Sequence, residues 1–200
     1  MKSIPENSIA SFDRALADGC DGFEFDVRLT AGGEAVICHD PKFGGVSIAG
    51  ADAGRLPNLP RLQSVLERYR NVFLDVELKV PGLEAIVVEA LRRYEPAQFV
   101  VSSFLPEVLM KLYAVDAAVP LGLICESKSE LRRWSELPVA YVIPNRKLAT
   151  SDLVRQVKAA GKKILVWTVN DPEGMEHFAD FGVDGIISDE TELLCRTVKR

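Results

Sequence analysis

The chain has 200 residues, 48% of them hydrophobic and 26% charged, which is the balance of a folded protein able to bury a sizeable core. Its net charge of −5 argues against a nucleic-acid surface, which needs a basic stripe. That charge still allows a small anionic substrate met by a metal ion. No run reaches the roughly 18 consecutive apolar residues of a membrane span, and Met1 to Asn7 has no apolar signal region. One domain over residues 1–200, working in the cytoplasm, is the expectation.

Ile9, Phe12, Ala15 and Leu16 recur at helical spacing, so a helix is expected over 8–18, with Gly19 as its stop. Asn7 or Ser8 would cap it. Strand-like runs follow at 22–28 and 35–39, then a loop containing Gly44, Gly45, Gly50 and Gly54. From there helices and strands alternate. Helices are expected over 61–69, 83–94, 107–115, 129–134, 151–160, 172–181 and 190–199. Strands are expected over 72–79, 99–103, 121–125, 140–143, 163–169 and 185–188. Pro172 suits the first turn of its helix. Apolar strands alternating with helices imply a parallel sheet covered by helices, and the cadence is that of a (β/α) TIM-type barrel. A doubly wound sheet is the alternative, but no Gly-rich phosphate turn follows an early strand.

The segment 22–40 breaks the alternation. Its two strands are joined by Thr30-Ala31-Gly32-Gly33-Glu34, too short for a crossover helix, so an antiparallel hairpin is expected. A turn centred on Gly32-Gly33 would set Asp26 opposite His39 on one face. The remaining parallel strands number seven, near residues 24, 75, 101, 123, 142, 166 and 187, against the usual complement of about eight. The expected barrel is therefore distorted and lacks its first strand. Unpaired backbone beside the missing strand would favour self-association. Cys20, Cys38, Cys125 and Cys195 are widely spaced without a CxxC pair, which reads as reduced thiols.

Two strands carry charge on one face. In Glu24-Phe25-Asp26 both carboxylates point the same way, and Asp75, Glu77 and Lys79 alternate against Leu74, Val76 and Leu78. Such faces are either wet edges or, near the C-terminal ends of barrel strands, a site for a hard divalent cation. His39 stands at a strand end beside Asp40, where carboxylates and a metal would tune it for proton transfer. His177 falls in a late helix and reads as a surface residue. Trp167 is either a core tryptophan or a pocket wall, and Ser102-Ser103 is expected to fill the interior.

In order and spacing these pieces resemble the glycerophosphodiester phosphodiesterases. The matching stretches are Pro5-Glu6-Asn7-Ser8, Gly22 to Val27, Val36 to Asp40, Leu59 to Leu62, Val76 to Lys79, Val101 to Phe104, Val166 to Asn170 and Gly182 to Asp189. The resemblance implies a distorted barrel with one divalent cation, Ca²⁺ or Mg²⁺, and Glu24, Asp26 and Glu77 as its ligands. It also implies Lys79 beside a substrate phosphate, His39 as one of two proton-transferring histidines, and Trp167 at the substrate pocket. The small-molecule substrate would be a glycerophosphodiester, cleaved to glycerol 3-phosphate and an alcohol. The family's His-Arg-Gly strand does not precede Pro5 here, and the stretch from Asp40 to Leu59 is shorter than the family's. The chain as given is accordingly expected to be a poor phosphodiesterase. The alternatives are an impaired remnant that binds a cation or phosphate ester, or a lyase-type phosphodiesterase on the same scaffold.

Overall fold

A computed structural model describes residues 4–198. Met1 to Ser3, on which part of the signal-region reading rests, and Lys199, the expected end of the last helix, lie outside the described residues.

In chain order the elements are α1 (Ile9–Ala17), β1 (Gly22–Leu29), β2 (Ala35–Ile37), β3 (Lys42–Phe43), β4 (Val46–Ser47), α2 (Leu62–Arg68), β5 (Phe73–Leu78) and α3 (Glu84–Tyr94). Then come β6 (Gln98–Ser103), α4 (Pro106–Val115), β7 (Leu121–Cys125), α5 (Lys128–Leu131), β8 (Tyr141–Pro144), α6 (Ser151–Ala159), β9 (Lys163–Val166), α7 (Pro172–Phe181), β10 (Gly185–Ile186) and α8 (Thr191–Val198). The expected elements all form, with ends displaced by a few residues. The Gly-rich loop adds the small β3–β4 hairpin, which folds onto the buried Val36, Cys38, Ile48 and Leu56.

The main sheet runs β10-β9-β8-β7-β6-β5-β1-β2. Among the described residues seven of its strands are parallel, and β2 alone is antiparallel, paired to β1. This is a distorted (β/α) TIM-type barrel. Among the described residues no ladder joins β10 to β1. That seam is spanned by α1 and α8 instead: Thr191 Oγ1 donates to Asp18 Oδ2 at 2.6 Å, Arg14 reaches Glu192 at 3.2 Å, and the Cys20 and Cys195 sulfurs lie 3.6 Å apart.

Strand alternation divides each parallel strand between two layers. Phe25 and Val27 of β1, Leu74, Val76 and Leu78 of β5, and Leu121 and Leu123 of β7 face outward. They are buried beneath Phe12, Leu66, Val87 and Leu109 of the helices. The opposite set faces inward. Gly22 opens β1 where a Cβ would fall 1.8 Å from the Phe73 carbonyl oxygen, so only glycine lets β1 lie against β5 there.

The hairpin corrects the expected register. The pairs are Val27↔Ile37, Arg28↔Val36 and Leu29↔Ala35, so Asp26 meets Cys38, whose N–H donates to the Asp26 carbonyl at 3.0 Å. His39 lies one residue beyond, outside β2. The cause is the turn. Thr30 and Glu34 close a three-residue loop, with Gly33 at φ +79 and its N–H on the Thr30 carbonyl. A three-residue loop with a left-handed glycine at its end is a common hairpin solution, and it centres the pairing on Gly32 rather than between Gly32 and Gly33.

Candidate active site

The site begins with β1 and β5 side by side. Their parallel register sets Glu24 beside Asp75 and Asp26 beside Glu77. Parallel partners share a face, so four carboxylates enter one end of the barrel. One oxygen from each of Glu24, Asp26 and Glu77 falls within 4.8 Å of the other two. Lys79 closes the group, with Nζ 2.7 Å from Glu77 Oε1 and 3.2 Å from Asp26 Oδ1.

One ammonium against four carboxylates leaves a surplus of negative charge in a shielded place. Asp26, Glu77 and Asp75 are all buried, at 4%, 7% and 2% exposure. Burial, then the Asp26 charge, pushes the Glu77 carboxyl up to about 7, with Lys79 opposing. Burial also lifts Asp75 to about 7, against the hydrogen bond it accepts from Ser102 Oγ at 2.5 Å. Glu24 is raised well above the usual carboxylate range by burial and then by Asp26, Asp75 and Glu77. Burial works against the Lys79 ammonium, but its contacts with Glu77 and Asp26 outweigh that, and its pKa is raised.

The donor set fits a hard divalent cation. Three carboxylates converge, and Glu24 Oε1 is buried without a hydrogen-bond partner, as is Asp75 Oδ2. An orphaned buried carboxylate oxygen is costly unless a cation meets it. All the donors are oxygen, which suits Ca²⁺ or Mg²⁺ rather than a thiolate-seeking metal.

Of the other expected residues, Trp167 joins this group through Phe104 and Lys79, while His39 and His177 are exposed on separate segments. The His39 ring is exposed, with Nδ1 3.0 Å from Asp40 Oδ1. Its carbonyl accepts from the Arg28 guanidinium at 2.8 and 2.5 Å, so the main chain there is held from β1. Trp167 follows β9. Its indole N–H donates to the Ile143 carbonyl at 2.9 Å, and its ring stands edge-on to Phe104 at 5.6 Å. Phe104 in turn lies under Lys79, with Nζ 5.6 Å from the ring centre. Lys79, Phe104 and Trp167 thus form one continuous wall beside the carboxylates. His177 is exposed on α7, packed on Phe181 at 4.1 Å.

A family model described as the glycerophosphoryl diester phosphodiesterase family matches residues 1–63 and 51–193. The chain belongs to that family. A glycerophosphodiester phosphodiesterase of Caldanaerobacter subterraneus subsp. tengcongensis is 28% identical over 238 aligned residues, spanning 100% of this chain and 94% of the relative. A crystal structure of a glycerophosphodiester phosphodiesterase from Parabacteroides distasonis superposes with a TM-score of 0.86 at 28% identity, covering 100% of this chain and 92% of that one. An Oleispira antarctica phosphodiesterase, solved with its product sn-glycerol-3-phosphate, gives 0.88 at 25% identity, covering 98% and 92%. By family the chain is a phosphodiester hydrolase.

Within this family member, sequence reasoning missed three contributors. The sequence offers Asn7 or Ser8 as the helix cap, and Ser8 takes that role, in a reciprocal pair with Ser11. Asn7 turns instead to Asp26, donating from Nδ2 to Oδ2 at 2.7 Å and accepting the Asp26 N–H at 2.9 Å. Arg28 is the next residue on the Glu24 and Asp26 face by alternation, and its guanidinium holds the His39 carbonyl. Ser102 reads from the sequence only as interior filling, but it donates to Asp75 of β5, and that contact depends on a register no local pattern reveals.

Proposed function

We propose that this chain hydrolyses glycerophosphodiesters to glycerol 3-phosphate and an alcohol, with one divalent cation, Ca²⁺ or Mg²⁺, held by Glu24, Asp26 and Glu77. We read residues 1–200 as a single domain acting in the cytoplasm; no helix among the described residues is long and apolar enough to cross a membrane. The observation that carries the reading is the convergence of three carboxylate oxygens within 4.8 Å beside a lysine ammonium.

A bound divalent cation would supply Lewis-acid stabilisation of charge on the phosphoryl oxygens. Lys79 adds a fixed positive charge at the same place, where low dielectric makes it count. In hydrolysis a water oxygen bonds to phosphorus, the ester bond to the alcohol breaks, and one proton passes from the water while another reaches the leaving oxygen. His39 suits one of these transfers. With Asp40 accepting from its Nδ1–H, the ring is oriented and Nε2 is left to take or give a proton. Trp167 and Phe104 provide an apolar wall for the glycerol or alcohol portion.

The test is glycerol 3-phosphate release from glycerophosphocholine and glycerophosphoethanolamine, with Ca²⁺ or Mg²⁺ and then with a chelator. Release should need the cation, and His39→Gln should lower kcat by about 10² to 10⁴. Turnover that survives the chelator would remove the cation from the mechanism. A cyclic phosphate product would replace hydrolysis by the lyase reaction.

A further inference from the structure

Asp26 is held from behind by Asn7. Its carbonyl accepts from Cys38 of the hairpin, but its N–H finds no strand partner and goes to Asn7 Oδ1 at 2.9 Å. That contact fixes the amide orientation, because only the oxygen can accept from an N–H. The other end, Nδ2, must then face the carboxylate, and it lies 2.7 Å from Asp26 Oδ2. Both ends of one short side chain thus bind one residue, through its main chain and its side chain.

The local backbone serves this contact. Asn7 sits at φ +54, in the left-handed region that asparagine tolerates better than most side chains. Ser8 caps the helix in the next position, so Asn7 is not needed for that. Its amide is also a neutral donor. It occupies Oδ2 without adding positive charge, whereas Lys79 approaches Oδ1 at 3.2 Å as a cation that competes with a metal ion for the same oxygens.

We propose that Asn7 is a positioning residue for cation binding: its two hydrogen bonds to Asp26 set the orientation in which that carboxylate meets a divalent ion. The proposal rests on the reading of Glu24, Asp26 and Glu77 as the cation site. Removing the clamp frees the Asp26 carboxylate to turn toward Lys79, and binding an ion must then reverse that turn.

Calorimetric titration of Ca²⁺ and of Mg²⁺ into the substrate-free protein tests this, with thermal unfolding measured alongside. Asn7→Gly keeps the left-handed backbone and removes the clamp. Its dissociation constant should rise about 10- to 100-fold, the usual loss when a partner of a metal ligand is removed. Ser8→Ala should unfold at lower temperature with cation affinity unchanged. Asn7→Ser, whose hydroxyl cannot reach both the N–H and the carboxylate, should weaken binding in the same direction and serves if Asn7→Gly does not fold. Variants at Asn7 that bind cations within about twofold of the parent, whatever their unfolding temperature, would make the residue merely structural and overturn the proposal. A parent protein that binds neither cation would overturn the cation site itself, and the proposal with it.

Discussion

Strands β1 and β5 on one side and β7, β8 and β9 on the other all send alternate side chains into the barrel, and what they send differs in kind. The first pair contributes Glu24, Asp26, Asp75 and Glu77. The second group contributes Ile124, Tyr141, Ile143 and Leu165, packed with Val100 of β6 into one apolar cluster. The apolar side gains stability by removing surface from water. The acidic side loses stability, because like charges are crowded at low exposure and two of their oxygens have no partner. One half of the interior thus carries a strained arrangement that the other half makes tolerable, a familiar division between activity and stability.

Substitutions on the two sides should therefore act in opposite senses. Glu77→Gln is expected to lower kcat/KM by more than about 100-fold, beyond the loss seen when only a ligand's partner is removed. In cation-free buffer the same variant should unfold at a higher temperature than the parent. Steady-state rates and thermal melts read both, and a variant that is inactive but also less stable would break the comparison. Ile143→Ala should do the reverse, costing about 2–5 kcal/mol by transfer and cavity terms while calorimetric cation affinity stays near the parent's.

The pH dependence sharpens the same contrast. Glu77 and Asp75 have folded-state pKa values near 7, above their ordinary values of 4.5 and 3.8. The folded protein therefore binds protons more tightly than the unfolded chain between roughly pH 4 and 7, and stability must fall as pH rises through that window. Cation-free protein should melt several degrees higher at pH 5.5 than at pH 7.5, and saturating Ca²⁺ should flatten or invert that difference. The smallest effect is expected at Trp167→Phe. It keeps most of the ring area and leaves the Ile143 carbonyl without its donor, a loss of about 1 kcal/mol in a denaturant titration.

Much of this molecule was legible from local pattern. The period of the apolar residues yields the order of strands and helices, and Pro172 marks the start of α7. Alternation alone identifies Glu24 with Asp26, and Glu77 with Lys79, as faces of single strands. The hairpin was legible in kind but not in register, because Thr30 to Glu34 can close through two or three central residues. Only the backbone conformation of Gly33 selects between them, and the choice moves His39 from opposite Asp26 to one residue beyond.

By itself, then, the sequence determined which residues are apolar, at what period, and which charges share a strand, since covalent spacing dictates these. Tertiary structure alone decided that β1 lies against β5 with Asp26 beside Glu77, that Asn7 reaches across 19 positions to Asp26, and that Ser102 meets Asp75. Those are contacts between segments far apart in the chain. Their register follows from how two sheet faces pack and where each buried N–H and carboxylate finds a partner, which no segment specifies alone.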